Sequence, residues 1–137
     1  MSMFQVSVFV ENKEGRLADI TKVLADNNIN IRALSIADTT NFGILRLIVD
    51  DPQKAEAALK ANNFTVSLTH VIAIEIQDVP GGLLQALDVL NSANISIEYM
   101  YAFIGSTEGK AAVVMRVEDR KTAAELFEKN GFKTIEG

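Results

Sequence analysis

The sequence has no cysteine and no tryptophan, and only one histidine, two prolines and two tyrosines in 137 residues. Without cysteine there is no disulfide, no thiolate nucleophile and no cysteine-ligated metal. The lone histidine, His70, excludes a multi-histidine zinc site, and no second imidazole exists to complete a conventional triad. Basic residues are the minority. Thirteen Lys and Arg stand against 18 Asp and Glu, a net charge of -5, so the basic face that nucleic acid or an anionic membrane requires is missing. No apolar run approaches the ~20 residues that span a bilayer. The opening segment is interrupted by Gln5 and Ser7, closed by Glu11 and lacks a basic leader, so it reads as a strand and not a signal peptide. The expectation is a cytoplasmic protein with no metal, no cofactor, no nucleic acid and no membrane among its partners.

What is present is an apolar fraction of 48%, enough for a real core, and an internal repeat. A shift of 66 residues lays Gly15-Arg-Leu17 on Gly81-Gly-Leu83, Val23-Leu24 on Val89-Leu90, Asn28-Ile29 on Asn94-Ile95 and Gly43 on Gly109. A shift of 68 then matches Asp51 to Asp119, Ala55 to Ala123, Asn62 to Asn130 and Phe64 to Phe132. The change of shift predicts two extra residues in the second copy between Gly109 and Asp119. Two domains follow, residues 1–69 and 70–137, each near the lower end of what folds alone.

Both copies present the same signals in the same order. Val6, Val8 and Val10, like Ile72, Ile74 and Ile76, alternate with their neighbours at the period of a half-buried strand. A glycine turn leads into helical spacing at Leu17, Ile20, Val23 and Leu24, matched by Leu83, Ala86, Leu87 and Leu90. Asn27-Asn28 and Asn94 suit a helix exit, because asparagine tolerates positive φ. Residues 29–37 and 95–103 predict second strands, and 44–50 and 111–117 third strands. Asp51-Pro52 and Asp119 open second helices, an aspartate capping and a proline at the first position costing no hydrogen bond. Asn63 and Gly131 close them, and 66–69 and 133–136 are short fourth strands. The order is β-α-β-β-α-β twice: an α+β chain of two ferredoxin-like units, each an antiparallel four-stranded sheet under two helices.

Chemistry has one natural place, the turn between first strand and first helix. A glycine there opens the backbone to a ligand at a helix N-terminus, where free N–H groups favour a carboxylate. Asn12 offers an amide beside the first turn, and Asp78 a charge for an ammonium beside the second. The competing reading is a plain strand-to-helix turn whose Asn12 and Asp78 bond only local backbone.

These residues carry a resemblance. Asn12-x-x-Gly15-x-Leu17 and Asp78-x-Pro80-Gly81-x-Leu83, each between a strand and a helix, resemble the signature of the ACT-domain family. Asn-Ile-Asn-Ile31 and Asn-Ile-Ser-Ile97 are similar to that family's second characteristic segment. The second copy is the more typical, since the first has Glu14 where proline is usual. The resemblance implies a non-catalytic regulator or sensor of free amino acids, bound between two ACT units. It implies ligand contacts from Asn12, Gly15, Arg16 and Leu17, from Asp78, Gly81, Gly82 and Leu83, and from Asn30 or Ser96 on a partner's second strand. Lacking an attached catalytic domain, such a protein would signal to a separate enzyme or regulator, or act by self-association as a homodimer. The alternative is a constitutive protein-interaction module with decayed ligand sites, a reading that Glu14 and Asp78 keep open.

Edge physics gives an independent reason for two units to meet. The second strand of a ferredoxin-like sheet is an edge, and joining two such edges would make one continuous eight-stranded sheet. Tyr99, Tyr101 and Phe103 share one face in the second copy, where the first has Ala33, Ser35 and Ala37. Paired, the rings would face small residues, and Tyr99 and Tyr101 would wall a pocket or simply pack on the sheet. Other candidates are weaker. His70 reads as a polar junction residue, Arg32 and Arg46 as strand arginines, Glu11 and Glu14 as solvated carboxylates, and the Asp50-Asp51 pair as a helix cap. No set of nucleophile, base and orienting group can be assembled from them.

Overall fold

The computed structural model describes residues 3–11, 13–38 and 42–136. Its elements run β1 (Met3–Glu11), α1 (Arg16–Asp26), β2 (Ile31–Asp38), β3 (Phe42–Val49), α2 (Pro52–Ala61), β4 (Thr65–Gln77), α3 (Gly82–Ser92), β5 (Ile97–Ala102), β6 (Lys110–Val117), α4 (Arg120–Lys129) and β7 (Thr134–Ile135). The chain divides into two compact units, one of residues 4–69, the other of 70–136 with Met3.

In the first unit the strand order is β2-β3-β1-β4, with β3 antiparallel to both β1 and β2. Val6, Val8, Leu45, Leu47 and Val49 face one way and bury against Ile20 and Leu24 of α1 and Ala55 and Leu59 of α2. Each fully buried leucine or isoleucine contributes about 1.5–3 kcal/mol of transfer free energy, which sets the face on which the helices lie. Asp51 caps α2 by accepting the Lys54 backbone N–H at 3.1 Å, and Pro52 follows as the first helical residue.

The second unit repeats this as β7-β4-β6-β5, with Ile72, Ile74, Val113 and Met115 packed against Ala86, Leu90, Ala123 and Phe127. Asp119 caps α4 through the Thr122 N–H at 3.2 Å, and Phe127 meets Phe132 edge-on with ring centres 5.6 Å apart. Asn28, Asn63, Asn94 and Gly131 all take positive φ at helix exits, as expected of asparagine and glycine there.

Four expectations need correction. Seven strands are found among the described residues, not eight, because the last strand of the first repeat and the first strand of the second run on as one 13-residue strand, β4. No glycine or proline separates Val66 from Ile76, so nothing breaks the extended backbone at His70. Nor do the second strands join: among the described residues β2 has the single strand neighbour β3, and β5 the single neighbour β6. The two extra residues also lie earlier than predicted. Glu11 pairs with Phe42 and its repeat mate Gln77 with Lys110, while Ile36 and Ala102 still match at 66, so the shift has already changed before β6, within the hairpin of 103–109. Finally, Leu17 and Leu83, counted in the buried helical stripes, are 39% and 37% exposed.

Candidate functional site

Both glycine turns are built alike. Gly15 and Gly81 are the N-caps of α1 and α3 with φ of 82° and 84°, and neither helix has a side-chain cap. A left-handed backbone is the region where only glycine sits without strain, so both positions need glycine. Helix geometry leaves the N–H groups of Leu17 and Ala18, and of Leu83 and Leu84, without intrahelical acceptors. Asn12 lies outside the described residues. Asp78 is exposed, and its N–H donates to the Gly109 carbonyl at 3.1 Å. Gly82 is buried, and its N–H donates to Val79 at 2.9 Å.

Asn30 and Ser96 sit at the other end of each sheet. β2 runs parallel to β1 through their shared neighbour β3: Gly43 pairs with Val10 near the turn and with Asp38, whereas Ile31 pairs with Val49. The start of β2 is therefore about 20 Å from the glycine turn of its own unit, at ~3.4 Å per residue. The Asn30 N–H donates to the Asp50 side chain at 3.1 Å, and Glu118 donates to the Ser96 carbonyl at 3.2 Å. Asp50 thus ties β2 to the end of β3, which explains it without an acid dyad. No single unit brings its own turn and its own strand residue together.

Tyr99 and Tyr101 are half-buried on β5, paired across the strand with Arg116 and Val114 of β6. Their neighbour Met115 faces the helices, so the rings lie on the opposite face. Arg116 holds Glu98 at 2.7 Å, and this hydrogen bond, with a smaller contribution from Tyr99, raises the arginine further above its ordinary range.

Around the first turn the charges form a small cluster. Lys13 pairs with Glu11 at 2.9 Å and, by hydrogen bond and charge, holds that carboxyl below its usual range. Arg16 is half-buried, with its guanidinium 4.6 Å above the centre of the Phe64 ring. In the sequence Arg16 is marked only by the family resemblance, and Phe64 only by its match to Phe132 in the repeat. Among the remaining candidates, His70 is exposed within β4. Among the described residues no cluster of three or more His, Cys, Asp or Glu could hold a metal ion, and no helix is long and apolar enough to cross a membrane.

The repeated βαββαβ units and twin glycine turns define a class, regulatory small-molecule-binding domains of ACT type. The chain belongs to the ACT domain pair family, whose model matches residues 1–137. A crystal structure of a protein from Bacteroides thetaiotaomicron is similar with a TM-score of 0.93 and 42% identity, covering 98% of this chain and 92% of that one. The regulatory subunit of aspartate kinase from Thermus thermophilus, in its ligand-free form, shares the fold at a TM-score of 0.68 and 15% identity, covering 96% of this chain and 94% of that one. The corresponding subunit from Thermus flavus gives 0.63 and 15%, covering 94% and 92%. No curated protein matches the sequence.

Proposed function

We propose that this chain is a non-catalytic regulator that binds a free amino acid and passes the signal to a separate enzyme or regulator. The observation that carries the reading is the glycine turn built twice at an uncapped helix N-terminus, where backbone N–H groups suit a carboxylate. Asp78 offers a charge for the ammonium. Because the turn and the strand start of one unit stand at opposite ends of its sheet, a complete site takes Asn30 or Ser96 from another ACT unit. The single-neighbour edges β2 and β5 support a second copy of the chain as its source. Tyr99 and Tyr101, on the same edge strand as Ser96's successor Ile97, would wall such a pocket. Ligand binding that favours one arrangement of copies is then the signal. That aspartate kinase regulatory subunits share the fold suits an enzyme as the receiver.

Thermal-shift screening of the twenty amino acids, followed by calorimetry, tests this. One amino acid should stabilise the protein, and Ser96→Val or Asp78→Ala should weaken its binding tenfold or more. A Tyr99→Ala, Tyr101→Ala double variant should alter which amino acid is preferred; a fall in thermal stability alone would make the rings packing groups. The second reading, a constitutive interaction module, draws on Glu14 in place of the usual proline. It takes over if none of the twenty produces a shift.

A further inference from the structure

The first unit contains a cavity of about 240 Å³ beside its glycine turn, built entirely from its own residues. It is somewhat smaller than drug-sized ligand pockets, which run ~300–1,000 Å³, and so suits only a small molecule. Phe64, only 7% exposed, lies beneath Arg16, while Phe9 and Phe42 line the cavity at 56% and 52% exposure. Arg16 is under-satisfied. Its Nε is buried with no hydrogen-bond partner among the described residues, and its Nη1 reaches Asp19 only at 3.7 Å. A guanidinium stacked on a ring keeps its planar edge of N–H donors open to a carboxylate, and a buried donor left unpaired is costly until something fills it.

The second unit has the corresponding cavity, about 200 Å³, with Phe132 where the first has Phe64. Its other groups differ in kind: Glu75 stands at the position of Phe9 and Lys110 at that of Phe42. Gly82 replaces Arg16, and a Cβ at Gly82 would overlap the Gln77 carbonyl oxygen, so no side chain can stand there. Among the described residues, the stacked cation and its two apolar neighbours occur once.

We propose that the first unit's cavity is a site for one small carboxylate with an apolar body, an aryl or branched aliphatic acid, per chain. The carboxylate pairs with the Arg16 guanidinium, and the apolar body lies against Phe9 and Phe42. This site shares Gly15, Arg16 and Leu17 with the amino-acid reading above but is carried by a different observation, the cavity itself, and needs no strand start from another unit.

The test is titration of the full chain with phenylpropionate and with its uncharged amide, read by calorimetry and by backbone amide spectra. The acid should bind once per chain, shift the resonances of Gly15, Arg16, Leu17 and Phe64, and bind at least tenfold more tightly than the amide. Arg16→Gln should remove that preference for the acid, Phe9→Ala should weaken both ligands, and Ser96→Val should change neither. Phe9 is more than half exposed, so its variant tests the site without disturbing the core. Equal binding of acid and amide, binding unaffected by Arg16→Gln, absence of binding, or shifts centred on Gly81 to Leu83 would each overturn the proposal. Loss of the amino-acid response with the phenylpropionate response intact would sink the regulator reading and leave this one standing.

Discussion

Gly82 presses its α-carbon side against the Gln77 carbonyl so closely that a single methyl group would overlap the oxygen. The first repeat places a full arginine at the same position. There the carbonyl of Glu11, which corresponds to Gln77, accepts the Lys13 N–H at 2.7 Å. Two turns with nearly equal glycine φ values thus diverge one residue later, and the divergence decides which unit can carry a cation beside its helix.

Gly82→Ala is expected to cost ~3 kcal/mol, because the obstacle is backbone and cannot swing aside. Gly81→Ala meets nothing within 4 Å and is opposed only by its left-handed φ, so about 1–2 kcal/mol is expected. Urea unfolding of the two variants should rank them in that order.

The helix caps predict an acid response. Asp119 is held below the ordinary aspartate range, first by the Thr122 side-chain hydrogen bond and then by the Thr122 backbone N–H. A lowered folded-state pKa means that the stabilisation is complete above the unfolded aspartate pKa and is lost as pH falls through the lower folded value. Asp119→Asn keeps an acceptor and removes the charge, so the fall of melting temperature with acid should be shallower in that variant. Asp51→Ala, which deletes the acceptor for the Lys54 N–H, should cost ~1 kcal/mol at neutral pH.

Phe127 is fully buried between α4 and its sheet and touches Phe132 edge-on at a 72° interplanar angle. Phe127→Ala leaves a ring-sized void and should destabilise the protein by ~3–5 kcal/mol in equilibrium unfolding. Phe132→Leu, which keeps volume but loses the edge contact, should cost ~1 kcal/mol.

The Arg116–Glu98 pair, short as it is at 2.7 Å, has both side chains about half exposed. Glu98→Gln should change stability by less than ~1 kcal/mol, and the difference should shrink in high salt. A larger or salt-independent loss would mean that Tyr99 and Arg116 depend on the carboxylate for their positions.

Much of this architecture is legible in the residues themselves. Period-two valines and isoleucines, helical leucines and the asparagines at helix exits all act locally, and local signals survive into the fold. Sequence and structure part where a local signal has two meanings. Gly43 and Gly109 matched by chance: one is buried in β3 and pairs with Val10, the other takes φ of 78° in the hairpin before β6. Leu17 and Leu83 sit on the apolar period, yet a helix's first turn extends past the edge of the layer it covers. The Arg16 cavity was invisible because Phe9, Phe42 and Phe64 are spread over 56 positions and are gathered only by strand pairing and helix return. The glycine turns could be found because glycine at positive φ leaves a mark that a side-chain cluster does not.

One consequence of the shared strand concerns how such a chain can change over time. Val66 and Leu68 face the first helical layer, and Ile72, Ile74 and Ile76 face the second, all on even positions of one unbroken extended run. Inserting a single residue between Ile72 and Ile74 would turn over the side chains on one side of it, moving part of that face from the core of the second unit to its outer face. Inserting two would keep the parity. The β5–β6 hairpin, by contrast, has already absorbed two residues without disturbing any pairing. The duplication is therefore free to drift in its hairpins and locked in phase along its core strands.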